Sequence, residues 1–250
     1  MKTKNINFKR DDIPVLLYHR VVSEPVKHDP YRICTTKRQF ERQLQYLCRK
    51  GIKTCTFGEL NNLSINPKHA VLLTFDDGYK DNYDNMLPIL KDYDARATIF
   101  VLSDRELTDN RWRSCSDLYT PLMDNRMLQE CIESGHVEIG SHGKRHVNLT
   151  LLDDQVLHDE VHSSKYELES LLGTRINAFA YPGGACGMRE KEAVRNAGYD
   201  YGVAVTTASI HGLSDKYAIR RRGIDQYTGS LKFRLKTSPN YFYYASLLGH

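Results

Sequence analysis

Along this chain, short apolar runs alternate with stretches of helical spacing about seven times, and that rhythm limits the possible folds more than any other feature. Apolar runs at 13–18, 52–56, 71–75, 97–102, 137–140, 176–180 and 201–205 read as strands, with a last short one at 218–220. Between them, helical spacing is found over 37–49, 58–63, 82–93, 121–134, 153–172 and 189–196. Gly51, Gly173 and Gly198 serve as stops, and Thr120 with Pro121 is the expected start of the fourth helix. Strand–helix repeats of this kind give parallel strands covered by helices. An α/β barrel fits better than an open sheet, although spacing alone does not separate the two. In either case, functional residues gather at the C-terminal ends of the strands.

Those ends are where chemistry should be sought, and Thr74-Phe75-Asp76-Asp77-Gly78-Tyr79 is the outstanding one. The apolar run Ala70-Val71-Leu72-Leu73 delivers two adjacent carboxylates to a turn at Gly78. Neighbouring carboxylates repel, so keeping both ionised needs a cation or a strong donor. Successive strand side chains point to opposite faces, so a turn is needed for both to reach one site. His142 and His146 follow the strand at 137–140 with a spacing of four. On one helical turn that spacing would place both imidazoles on one side. Alone, such a pair is a common surface pattern. Joined to a carboxylate, it makes a two-histidine, one-oxygen site with positions left for water and substrate, as catalytic zinc requires.

Three segments carry a family resemblance. They are Thr74 to Tyr79, Gly135-His136-Val137-Glu138-Ile139-Gly140-Ser141-His142-Gly143-Lys144-Arg145-His146, and Phe179-Ala180-Tyr181-Pro182-Gly183-Gly184. In this order they resemble the first three motifs of the polysaccharide deacetylases, the NodB-homology group of carbohydrate esterases (family 4). The resemblance runs over about 15–224. It implies a distorted (β/α)7-type barrel in a single domain. It also implies that Asp77, His142 and His146 hold a divalent metal, zinc in the first place, with cobalt, nickel, manganese or iron as alternatives. Asp76 would be the general base. A metal there would acidify water and polarise the acetyl carbonyl, and Asp76 would take the proton.

The leaving amine needs a proton as well. Familiar members supply it from a Leu-x-His motif near the C-terminus, and this chain has none there. Leu17-Tyr18-His19 instead ends the first strand. A subgroup resembling the poly-N-acetylglucosamine deacetylases has a Tyr-His near its start. First and last strands of a closed barrel are neighbours, so a motif can change chain ends and keep its place. His19 is therefore the expected general acid, with His211 as the alternative. Where an arginine often precedes the proline of the third motif, this chain has Ala180. Arg221, in Ile219-Arg220-Arg221-Arg222-Gly223-Ile224, is the candidate substitute for orienting the base. The backbone N–H of Gly183 is the candidate oxyanion donor. Trp112 could stack on a sugar face, and Asp104, Arg111 and Arg113 share its loop.

Composition excludes several other classes. With 35 Lys and Arg against 31 Asp and Glu, the net charge of +4 does not call for nucleic acid. No apolar run is long enough to span a bilayer. Peripheral membrane contact remains open, as does the oligomeric state. No export signal is read in the first residues, and the six cysteines show no Cys-x-x-Cys pair, so a cytoplasmic protein with reduced thiols is expected. The expected layout is an N-terminal extension over 1–12, the domain over 13–226 and an aromatic-rich tail over 227–250 that packs on the body or a partner. The expected activity is removal of N-acetyl groups from N-acetylhexosamine units of a polysaccharide, oligosaccharide or glycan precursor. The competing readings are an O-acetyl esterase, a cyclic-amide amidohydrolase, a non-catalytic carbohydrate binder and a structural metal site.

Overall fold

The computed structural model describes residues 13–61, 69–113, 119–205, 215–238 and 241. The main sheet is entirely parallel. In chain order its strands are β1 (Val15–Tyr18), β4 (Lys53–Cys55), β5 (Ala70–Phe75), β6 (Ala97–Val101), β7 (Val137–Ser141), β8 (Ala178–Ala180), β9 (Tyr201–Ala204), β10 (Ile219–Arg220) and β11 (Arg222–Gly223). A separate parallel pair, β2 (Arg20–Val22) with β3 (Cys34–Thr36), follows β1.

The spatial order is β10-β9-β8-β7-β6-β5-β1-β11. Its two ends lie in one short segment, separated in the chain only by Arg221. Arg221 N–H donates to Ala204 of β9, and Ile224 N–H donates to Leu17 of β1. The sheet thus closes on itself through Arg221 and forms the (β/α)7-type barrel that the sequence predicts, with 218–220 extended into a split last strand. One edge of β5 runs along β1. Its other edge is shared, β4 taking Ala70–Leu72 and β6 taking Thr74 and Phe75.

Alternation along β5 sorts its side chains between two cores. Ala70 and Leu72 join Val15, Phe57, Phe100, Ala178, Ala180 and Val203 inside the barrel. Val71, Leu73 and Phe75 face outward and pack with residues of the covering helices. A strand buried on both faces has no polar position to spare, which is why this run reads as continuously apolar. The inward row 70, 72, 74 continues to Asp76 at the barrel mouth.

The helices are α1 (Lys37–Arg49), α2 (Leu87–Asp92), α3 (Asn125–Glu133), α4 (Asp154–His158), α5 (Ser164–Leu172), α6 (Met188–Asn196) and α7 (Ser230–Lys236). A capping box starts α1, with the Thr36 hydroxyl accepting from Gln39 N–H and the Gln39 side chain accepting from Thr36 N–H. The helix expected over 121–134 begins later. Asp124 caps it by accepting from Met127 N–H at 2.8 Å. Thr120 and Pro121 instead belong to the preceding loop, where Thr120 N–H donates to Asn110 and Pro121 bridges Asp109. The stretch over 153–172 is helical throughout but contains a π turn at Asp159–Ser163 between α4 and α5. Another π turn, Asn82–Met86, precedes α2, and Pro88 sits in the first turn of that helix. Among the described residues, no helix is long and apolar enough to cross a membrane, and Cys34, Cys48, Cys55 and Cys131 form no disulfide.

Candidate metal centre

Asp76 and Asp77 close β5, His142 follows β7, His19 follows β1, Gly183 follows β8 and Arg221 divides β10 from β11. All therefore lie at C-terminal strand ends, the mouth where a parallel barrel places its chemistry. Asp77 adopts φ 72° and Gly78 φ 71°. Left-handed backbone at a non-glycine residue is strained, and it turns Asp77 out of the alternating row so that both carboxylates reach the mouth. A side chain at Gly78 would put its Cβ 2.9 Å from Val101 Cγ1, so the turn also needs glycine for space.

Asp77, His142 and His146 come together, with one ligand atom from each lying within 4.8 Å of the others. The Asp77 Oδ1 atom is 3.4 Å from His142 Nε2 and 3.2 Å from His146 Nε2. The imidazoles do not converge from one helical turn as expected. They are joined by a loop in which Gly143 (φ 77°) and His146 (φ 59°) are left-handed. His142 Nδ1 lies 2.8 Å from the carbonyl of Ala180, which selects the tautomer with Nδ1–H and frees Nε2 as a ligand. Trp112 stacks on the His146 ring, with centroids 4.8 Å apart and planes 17° apart.

The donor set fits a divalent cation. Asp77 Oδ1 is buried and takes no well-formed hydrogen bond, although both imidazoles touch it. A buried carboxylate oxygen without a donor is costly, and a cation between it and the two Nε2 atoms would satisfy all three. Burial alone would raise the Asp77 pKa, but the adjacent His146 and His142 hold it well below the ordinary carboxylate range. Burial would lower the pKa of His142, and the charges of Asp76 and Asp77 raise it instead.

Asp76 has a different partner. Arg221 forms a fork on it, Nη1 to Oδ1 at 2.6 Å and Nη2 to Oδ2 at 2.6 Å, and both side chains are buried. The guanidinium also donates to Thr74 Oγ1 and lies over the Phe100 ring. Against the cost of burial, Arg221 and then His142 hold the Asp76 pKa below its ordinary value. His142 Nε2 is 3.9 Å from Asp76 Oδ2, so the base candidate borders the triad without joining it. With Ala180 offering no guanidinium, the fork on Asp76 comes from Arg221, beside β9 in the ring.

His19 sits within electrostatic reach of both carboxylates. Burial keeps its pKa below the ordinary value, against the pull of Asp77 and Asp76, and Arg113 and Arg221 add to the lowering. Gly183 has φ 69° and an exposed face, with nothing within 4 Å of a notional Cβ. His211 lies outside the described residues. Asp104 and Arg111 remain in the loop with Trp112, and Arg111 pairs with Asp109.

Two residues have larger parts than sequence reasoning assigned. Arg113 donates from Nη2 to Asp77 Oδ2 at 2.9 Å, so it belongs to the metal centre as well as to the loop. Glu160, from the π turn between α4 and α5, is fully buried and accepts from the N–H groups of Lys144 (2.8 Å) and Arg145 (3.1 Å) and from Arg145 Nε (2.8 Å). It clamps the loop that joins the two histidines, and π turns are frequent at such places. Replacing Glu160 by Gln keeps the shape but not the charge or the acceptor set. Metal affinity should fall about 10-fold or more, read by competition against a chromophoric chelator.

Comparison with known proteins bears on this geometry. A sequence profile for polysaccharide deacetylase matches residues 64–202, more than half of the chain. A Bacillus subtilis protein named as a candidate polysaccharide deacetylase, YxkH, is 27% identical over 213 residues, 84% of this chain and 70% of that protein. A poly-beta-1,6-N-acetyl-D-glucosamine N-deacetylase of Staphylococcus epidermidis is 24% identical over 241 residues, covering 88% and 81% of the two chains. In fold, the Streptococcus pyogenes deacetylase PplD superposes with a TM-score of 0.77 at 24% identity, over 91% of this chain and 98% of that one. The profile covers more than half of the chain, and the chain belongs to the polysaccharide deacetylase family.

Proposed function

We propose that this protein hydrolyses the N-acetyl groups of N-acetylhexosamine units in a polysaccharide, an oligosaccharide or a glycan precursor. One observation carries the reading: a buried carboxylate, forked by Arg221 and kept ionised, borders an open two-histidine, one-carboxylate triad. A relative named for deacetylation of poly-β-1,6-N-acetylglucosamine supports the same substrate class.

Asp77, His142 and His146 would hold the ion, zinc or another first-row divalent metal, which supplies Lewis acidity toward water and the acetyl carbonyl. Asp76 takes the proton as the water oxygen bonds to the acetyl carbon. Arg221 fixes the plane of that carboxylate and keeps it ionised down to a pH below the ordinary carboxylate range. The N–H of Gly183 donates toward the carbonyl oxygen as charge develops there. As the carbon–nitrogen bond breaks, His19 gives a proton to the departing amine. Its lowered pKa makes the imidazolium a stronger acid but leaves a smaller protonated fraction at neutral pH. The products are acetate and a free amino sugar.

The test is acetate release from chitin oligomers and β-1,6-linked N-acetylglucosamine oligomers, beside acetylated xylan and a cyclic imide. Release from the N-acetylated sugars is expected. Turnover of xylan or imide alone would overturn the reading. A strong chelator should abolish release and zinc should restore it, with little change in the melting curve. An open site is not what holds a barrel together. Melting on chelation before activity is lost would favour a structural ion.

A further inference from the structure

The two oxygens of Asp77 have unlike surroundings. Oδ1 faces the imidazoles with no hydrogen bond, while Oδ2 accepts from Arg113 Nη2 at 2.9 Å. Both side chains are largely shielded, Asp77 at 0% and Arg113 at 13% exposure. Arg113 is itself tied in place. Its Nε donates to the Tyr79 hydroxyl at 3.1 Å, its guanidinium lies 4.8 Å from the centre of the Tyr31 ring, and its backbone N–H donates to Asn110. The Tyr79 hydroxyl also accepts from the Asn110 side chain at 3.2 Å, and Tyr79 is fully buried. The guanidinium is thus held from three sides and cannot leave Oδ2 without breaking several contacts.

A carboxylate with both oxygens free can chelate a cation with two atoms and fill two coordination positions. We propose that Arg113 holds Asp77 to a single ligating oxygen, so that the centre keeps three protein donors and its remaining positions stay open for water and the acetyl oxygen. This rests on the reading of Asp77, His142 and His146 as a metal site. Arg113 is a positioning residue that acts through Asp77. The neighbouring Trp112 stacks on His146, so one loop next to the barrel mouth steadies two of the three ligands. The positive charge of Arg113 also offsets that of Asp77, which would leave a bound ion more electron-poor and better suited to acidifying water.

Cobalt(II) reports coordination number through the intensity of its visible absorption, independently of turnover. The wild-type protein and the variants Arg113→Met, Arg113→Gln and Arg113→Lys are loaded with cobalt, and their spectra, cobalt affinity and acetate release are compared. The Met and Gln variants should lose intensity as Asp77 closes on the ion with both oxygens. Their kcat/KM should fall about 10- to 100-fold. Lysine keeps a donor on Oδ2 and should retain the wild-type spectrum. Cobalt bound by the Met and Gln variants with an unchanged spectrum would overturn the role of Arg113 alone. Failure of the wild type to take up cobalt, or uptake unaffected by His142→Ala, would overturn the metal reading and this proposal with it. Should neither removal fold, Tyr79→Phe, which lacks only the anchoring hydroxyl, must show the same loss in smaller measure, and an unchanged spectrum there also overturns the proposal.

Discussion

Replacing Arg221 by Met is expected to cost about 3–5 kcal/mol of unfolding free energy, the usual penalty for stranding one partner of a buried ion pair. Asp76 would keep its burial but lose both 2.6 Å hydrogen bonds. The denaturant midpoint should drop with little change in slope. The pH dependence follows from the sign of the shift. In the wild type the Asp76 pKa is lowered, so its contribution to stability is complete above the ordinary carboxylate pKa and is lost only as pH falls through the lowered value. Without Arg221, burial dominates and the pKa rises, so protonation relieves the variant on mild acidification. The stability gap between the two proteins should therefore narrow from pH 7 toward pH 5. A constant gap over that range would mean that the fork does not keep Asp76 ionised.

Asp76→Asn should lower kcat by about 10²- to 10⁴-fold, the range for loss of a positioned general base. Metal uptake should be preserved, because the triad of Asp77, His142 and His146 stays intact. That split between binding and turnover separates a base from a ligand. Retained acetate release would sink the hydrolytic mechanism, and lost metal uptake would place Asp76 in the coordination sphere. Since Asp76 and Arg221 act as one unit, the double variant should lose much less than the product of the two single losses.

The parallel strands were legible in the sequence because most of them carry short, largely apolar runs that recur about seven times, while closure into a barrel was implied by the family resemblance. Asp76, Asp77 and His142 were legible as candidates because each sits directly after such a run, and His146 because of its spacing of four from His142. Arg221 could be named as a candidate, but its fork on Asp76 spans 145 positions and depends on ring closure, which no local pattern reports. The same distance hid the tie between Arg113 and Asp77, 36 positions apart. Glu160 was silent for another reason. Its helix reads as an ordinary amphipathic one, and the π turn that aims the carboxylate at the histidine loop leaves no mark in the spacing. The late start of α3 has a simple cause. Pro121 satisfies the rule for a first helical position, but Asp124 caps better, and the bridges of Pro121 to Asp109 and of Leu122 to Tyr79 keep those two residues out of the helix.

The closure of the sheet through a single residue makes completion of the ring and arming of the base the same event. The three candidate metal ligands and the groups that set them, Glu160 and the Ala180 carbonyl, all lie before residue 181, yet Asp76 gains its fork only when the segment after Ala218 docks between β9 and β1. Under the proposed roles, a chain emerging from the ribosome would carry its candidate metal ligands before it had an oriented base. Under the same roles, a molecule clipped before the last strand would keep the candidate ligand residues and lose the fork that orients Asp76.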